Sequence, residues 1–285
     1  MKIIGEKGVQ RILMVTAFSA ISALLLIALF ILSEGLPFIF KYGVKDFLLS
    51  SDWQPHVGKF GIFSMIVASL WVTLGAMIVG APLGVAGAFF LSEYVPRSIM
   101  RIIKPTIELL AAIPSVVYGF IGVMVLAPII RENFGGPGLS LLSASIILGI
   151  MILPTVISIS IDSILAVPQS YREGSLALGA TTWQTIHMVT IKASKSGIIA
   201  SIILGMGRAI GETMAVIMVA GNSVNIPHSA LDSVRTLTAN IALEMSYATG
   251  LHRQALFATG VVLFIVIIIL NSIASVAIRK RIVKR

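Results

Sequence analysis

Residues Gly197–Gly221 read GIIASIILGMGRAIGETMAVIMVAG, an apolar run interrupted only by Arg208 and Glu212. About 20 apolar residues in a helix cross ~30 Å of hydrocarbon, so the run is long enough to span a bilayer. Whether it is counted decides the topology. Ile12–Ser33, Phe60–Ser92, Leu109–Ile130, Leu141–Ile161 and Gln254–Ile278 are uncharged and mostly apolar, and each reads as a span without debate. With Gly197–Gly221 there are six, and both termini return to the same side. The expected fold is all-α, a polytopic membrane protein in one transmembrane domain over residues 1–285.

Composition supports this. Apolar residues make up 57% of the 285 and charged residues 12%, against roughly 25% charged in soluble domains. Too little charge is present to coat a water-soluble globule, which excludes a soluble enzyme. The net charge of +9 invites a nucleic-acid partner, but its distribution argues against one. With the N-terminus cytoplasmic, fourteen Lys and Arg fall in inner segments and six in outer loops, the bias that sets membrane orientation. The partner of those charges is the lipid bilayer, and both termini are expected inside. The first span is longer than the 7–15 residues of a signal-peptide core, and Ser33-Glu34-Gly35 makes a poor cleavage site, so a retained helix is expected.

Chemistry-bearing motifs are few. Cysteine is absent, and His56, His187, His228 and His252 have no metal-ligand spacing; no metal or cofactor is expected. The Gly58-Lys59 pair lies in an outer loop and is followed by Phe60, so no phosphate-cradling nucleotide loop exists. Neither G-x-S-x-G nor HExxH occurs, which leaves an intramembrane enzyme without a nucleophile or metal site.

The loops carry more. The outer loops 34–59 and 222–253 are long enough for structure. Trp53 in the first could sit at the membrane interface, and Ser233–Ala248 in the second has apolar residues at helical intervals, predicting a short amphipathic helix on the outer surface. In the inner loop 166–196, Ser170-x-x-Glu173 and Thr181-x-x-Gln184 read as two capping boxes. Gly179 lies between them as a positive-φ stop. The expectation is a hairpin of short helices with Leu176, Trp183 and Ile186 as apolar knobs. It either folds back on the bundle or is covered by another chain.

Within the fifth span, a central arginine costs about 2.5–3.5 kcal/mol on insertion scales and should face protein or water. Arg208 falls near the midplane, and Glu212, four residues on, shares its face. The pair reads either as a structural lock or as a pathway arginine, its planar donor fork suited to a tetrahedral oxyanion and restrained by Glu212. The Gly207-x-x-x-Gly211 spacing favours close helix packing, and Pro114-Ser115 a kink in the third span.

Glu173-Gly174-Ser175-Leu176-Ala177-Leu178-Gly179 resembles the E-A-A-x-x-x-G loop of ABC importer permeases, with Gly174 and Ser175 in place of the alanines and Lys192 where that family has proline. Further blocks are similar to the phosphate (PstC-type) branch: Trp53-Gln54-Pro55, Pro82-Leu83-Gly84, Ser92-Glu93-Tyr94, Ile113–Phe120, Gly207–Val216 and Leu237–Ala242. The resemblance implies a type I importer fold, with inorganic phosphate as substrate. It implies a heterodimer with a second, related permease, driven by separate cytoplasmic ATP-binding subunits and supplied by an external phosphate-binding protein. Arg208 and Glu212 would then line the pathway, while Glu173, Gly174, Ser175, Gly179 and Trp183 would meet the ATPase. Another oxyanion, or a secondary transporter using Arg208 and Glu212 as an ion-coupled relay, remains the competing expectation.

Overall fold

The computed structural model describes residues 6–283, with side chains placed for residues 8–273 and for Ser275. The expected inner charges Lys2, Lys7, Arg279, Lys280, Arg281, Lys284 and Arg285 therefore lie outside the described side chains. Eleven α-helical elements and one small hairpin, its strands joined by a 3-10 turn at Pro55–Val57, are described in chain order. They are α1 (Glu6–Tyr42), α2 (Val44–Leu49), β1 (Trp53–Gln54), β2 (Lys59–Phe60), α3 (Phe63–Tyr94), α4 (Arg97–Ala111), α5 (Ser115–Phe134), α6 (Leu141–Leu165), α7 (Gln169–Ala177), α8 (Thr182–Gly211), α9 (Met214–Val219), α10 (Leu237–Glu244) and α11 (Gly250–Val283). Among the described residues six helices are long and apolar enough to cross a membrane: α1, α3, α5, α6, α8 and α11.

The antiparallel β1–β2 pair sets Trp53 opposite Phe60 and Gln54 opposite Lys59. The centre of the molecule is the pairing of α3 with α6. Lipid tails offer no hydrophobic drive between helices, so contact depends on close backbone approach and hydrogen bonding. Gly80 supplies the approach: a Cβ there would lie 2.6 Å from the Gly149 carbonyl oxygen. Ala68, Val72 and Ala76 of α3 then bury against Ala144, Leu148 and Met151 of α6. Helix α8 closes on the other flank of α6, where the buried hydroxyls of Ser160 and Ser201 pair at 2.8 Å. On the outer side, α1 meets α11 through Phe30 and Phe257, edge to face at 5.4 Å.

Three spans differ most from the sequence expectation. The first runs on past Ser33 and through Pro37 to Tyr42, so the outer loop expected from residue 34 begins only after it. The third starts not at Leu109 but at Ser115, because α4 stops at Ala111 and the chain turns before Pro114, which stands extended (φ −56°, ψ 136°) at the start of α5. The residue before a proline is driven out of the helical region, so a break rather than a kink results. The fifth begins fifteen residues earlier, at Thr182, and ends at Gly211; the second box opens a long helix instead of a separate short one.

Outer elements also differ. Ser233–Ala248 forms a helix only over Leu237–Glu244, and Leu237, Ala239 and Asn240 are fully buried, so α10 packs into the bundle instead of lying on it. Trp53 does not face outward but is buried within the fold. It is 5% exposed and donates through Nε1 to Glu244 Oε2 at 2.9 Å. Arg235 donates to Glu244 Oε1 at 2.6 Å, and His252 Nε2 lies 2.8 Å from Oε2. One buried carboxylate thus ties the first outer loop, the second outer loop and α11 together. Sequence spacing gave no sign of this hub, since its members are far apart in the chain. Nearby, the Asp232 carboxylate accepts from the His228 and Ser229 N–H groups, both at 2.8 Å, which holds its pKa below the usual carboxylate value.

Candidate functional site

The fifth span is discontinuous where its charges lie. Helix α8 ends at Gly211, Glu212 is extended (φ −69°, ψ 133°), and α9 starts at Met214. The expected Arg208–Glu212 pair is not formed. Four residues apart on a helix the two would meet, but the helix stops before Glu212 and turns its side chain the other way. Glu212 Oε1 accepts from the Ala215 N–H at 3.1 Å, capping α9, and the Glu212 carbonyl accepts from Thr238 Oγ1 at 2.9 Å. Arg208, in the last turn of α8, reaches across instead. Its Nη1 donates to Thr155 Oγ1 of α6 at 3.1 Å and its Nη2 to the Ala111 carbonyl of α4 at 3.2 Å.

This arrangement brings the two chain breaks together. Ala111 is the last residue of α4, so its carbonyl has lost its helical donor; Arg208 supplies one. Tyr118 Oη donates to the neighbouring Leu110 carbonyl at 3.1 Å. Thr155 and the Ala111 carbonyl were not foreseen from sequence, and nothing in a hydroxyl on an apolar helix or in a main-chain oxygen singles them out. Glycine behaves differently from the packing expectation too. Gly205 is close-packed, with Val156 Cγ2 at 2.9 Å from a virtual Cβ, whereas Gly207 and Gly211 meet nothing within 4 Å. With exposed Leu204 and Met214 they form an open stripe beside Arg208. Arg208 itself is half-buried and, among the described residues, makes no ion pair.

The inner loop has its own geometry. Thr181 and Gln184 form the reciprocal capping box, at 3.2 and 2.8 Å. Ser170 and Glu173 do not: α7 opens on Pro168 with no side-chain cap, because proline fixes the entry two residues earlier. Gly179 has φ +83°, which an L side chain adopts only under strain. Glu173 and Gly174 are exposed, and Ser175 is tied to Thr185 at 3.0 Å. Trp183 is 64% exposed and stacks on His187 at 5.9 Å. Ile186, expected as a knob, is only 5% exposed; Leu178, not singled out, is 91% exposed and caps the tip. An ion pair unmarked by sequence anchors the loop: Arg172 Nη1 to Glu93 Oε2 of α3 at 2.7 Å.

The hairpin thus exposes apolar side chains at its tip and is fixed by an ion pair at its root. Residues 80–284 match the family model described as the binding-protein-dependent transport system inner membrane component. The chain belongs to that family. As an inner membrane component it is a transporter part rather than an enzyme, a multi-pass protein of the plasma (inner) membrane that operates with other subunits. It is 42% identical over 263 residues to a probable ABC transporter permease protein, YqgH, of Bacillus subtilis, covering 90% of this chain and 85% of that one. It is 37% identical over 250 residues to the phosphate transport system permease protein PstC of Mesorhizobium japonicum, covering 80% and 76%. In fold, this inner membrane component resembles the bacterial ABC transporter that imports the acidic polysaccharide alginate. The TM-score is 0.62 at 16% identity, over 96% of this chain and 98% of that one.

Proposed function

We propose that this chain is the PstC-type permease subunit of an ATP-driven importer of inorganic phosphate. The observation that carries the reading is the half-buried Arg208, free of any carboxylate in the described residues and set at two adjoining helix breaks beside an open stripe. Guanidinium presents a planar fork that matches two oxygens of a phosphate. Neutral partners, a hydroxyl and a carbonyl, hold the side chain in place without cancelling its charge. Glu212 lies on the path as the residue that ends one half-helix and starts the next. A second, related permease would cover the stripe at Leu204, Gly207, Gly211 and Met214 and complete the pathway.

The 166–196 loop is where ATP-binding subunits would engage. Glu173, Gly174, Ser175, Gly179 and Trp183 form the exposed or linking parts of that surface, and the Arg172–Glu93 pair would pass its movement to α3. An external phosphate-binding protein would deliver substrate to the outer face built around Glu244. The secondary-transport reading relies on Arg208 and Glu212 as an ion-coupled relay, and the two side chains are not paired.

The test is reconstitution of the chain with its co-purifying subunits in sealed vesicles. Phosphate accumulation should require ATP and added binding protein. Accumulation by this chain alone under an ion gradient would overturn the proposal.

A further inference from the structure

A cavity of about 600 Å³ opens at the inner end of the bundle, where the ends of α3 and α6 meet the starts of α4 and α7. Four cations line it: Arg97, Arg101, Lys104 and Arg172. Two are already neutralised. Arg172 pairs with Glu93 at 2.7 Å, and Lys104 pairs with Asp162 and lies 3.9 Å from Glu108. Arg97 and Arg101 have no carboxylate partner among the described residues. They sit four residues apart on α4, so their side chains share one face at about 5–6 Å between Cβ atoms. Like charges at that spacing repel, and the first turn of α4 carries no acidic residue to relieve them. Val95, Met100, Pro105, Leu165 and Val167 supply the apolar part of its lining.

We propose that this cavity is a phosphate-group site, in which Arg97 and Arg101 together clamp one tetrahedral oxyanion. Two unpaired guanidinium groups match the charge of a phosphate dianion and attract the single negative phosphodiester of an anionic lipid, and each offers a bidentate fork. The site is distinct from Arg208 and stands whether or not Arg208 carries the transported anion. Two sources present the same chemistry. Free inorganic phosphate would reach it from the inner solution, and the headgroup of an anionic lipid would reach it from the inner leaflet with its chains along the apolar lining.

The test uses the full chain with its co-isolating subunits in an Arg208→Gln background, so the pathway arginine contributes nothing. One arm measures binding of radiolabelled inorganic phosphate at low salt. The other measures phosphatidylglycerol retained after purification from membranes of phosphatidylglycerol mixed with phosphatidylcholine. Replacing both residues (Arg97→Gln with Arg101→Gln) should cut occupancy by roughly ten-fold or more in at least one arm. Loss in the phosphate arm identifies the free anion as occupant, and loss in the lipid arm the headgroup. The Arg97→Lys, Arg101→Lys version keeps the charge and should retain intermediate occupancy. Both positions are exposed, so normal subunit co-isolation is expected. Unchanged occupancy in both arms overturns the proposal. So does an equal loss on Lys192→Gln, an exposed inner lysine outside the cavity, because it would mean that general positive charge, not this clamp, holds the anion.

Discussion

Arg208 Nη1 donates to the Thr155 hydroxyl at 3.1 Å, linking the last turn of α8 to the middle of α6. This bond fixes where the guanidinium points without neutralising it, and it leads to the first prediction. Thr155→Val keeps shape but removes the acceptor, leaving the donor to search. Phosphate uptake should show KM raised about ten-fold or more with normal assembly, since a hydrogen bond from a charged group contributes about 1.5–3 kcal/mol. Unchanged KM would mean that the Ala111 carbonyl alone positions the arginine.

Substitutions at the arginine itself separate pathway from packing. Arg208→Gln should abolish uptake while the complex assembles, and Arg208→Lys should keep part of it as a point charge. Glu212→Gln should be mild, because an amide oxygen still accepts from the Ala215 N–H that caps α9. Combining Arg208→Gln with Glu212→Gln should not restore transport, as the two side chains are not paired. Recovery of uptake in that double variant would refute the pathway assignment.

At the inner loop, Gly179→Arg should uncouple ATP hydrolysis from uptake with insertion unaffected. The cause is backbone: φ +83° strains any L side chain, by roughly 1–3 kcal/mol, although a Cβ there meets nothing within 4 Å. Gly174→Ala, on the same surface with equally open surroundings and no positive φ, only restores the alanine of the resembling loop and should stay coupled. ATPase activity measured with and without uptake checks both. Equal behaviour of the two variants would show that conformation at 179 is not what matters.

The outer hub makes a stability prediction. Glu244→Ala leaves Arg235 partly buried without its carboxylate and frees the Trp53 N–H, a loss of about 3–5 kcal/mol by analogy with broken buried pairs. Thermal unfolding in detergent should move down by several degrees. Asp232 adds a pH dependence of opposite reach. Its folded pKa is lowered below 3.8 by the His228 and Ser229 N–H groups, so its contribution is fully present above 3.8 and is lost as pH falls through the lowered value. Proteolysis of the 227–232 turn should therefore be unchanged from neutrality down to that range and then rise. In Asp232→Asn it should be raised near neutrality and meet the wild-type level only where Asp232 is protonated.

Which parts could be read beforehand follows from the range of the forces involved. Length of apolar run is local, so the six spans are legible in the chain. The Thr181–Gln184 box and the Gly179 turn are local too, and both appear in the structure. Ser170–Glu173 failed because a nearer signal, Pro168, sets the helix start. Arg208 and Glu212 were visible as misplaced charges, but their separation depends on a helix ending one residue before Glu212, whose carbonyl accepts from Thr238 of α10. The Glu244 hub and the Thr155 contact join residues whose proximity only the folded bundle creates.

The Trp53–Glu244 bond closes a loop of 191 residues, and that has a consequence for how the protein is made. At about 5–20 residues per second of synthesis, roughly 10–40 seconds pass between the emergence of the indole and that of its acceptor. Throughout that interval the first outer hairpin is exposed to the translocation machinery and to proteases without its carboxylate clasp. Completion of the outer face therefore coincides with the arrival of the last helix, and a chain cut short before residue 244 would carry an unfastened hairpin as a mark of its incompleteness.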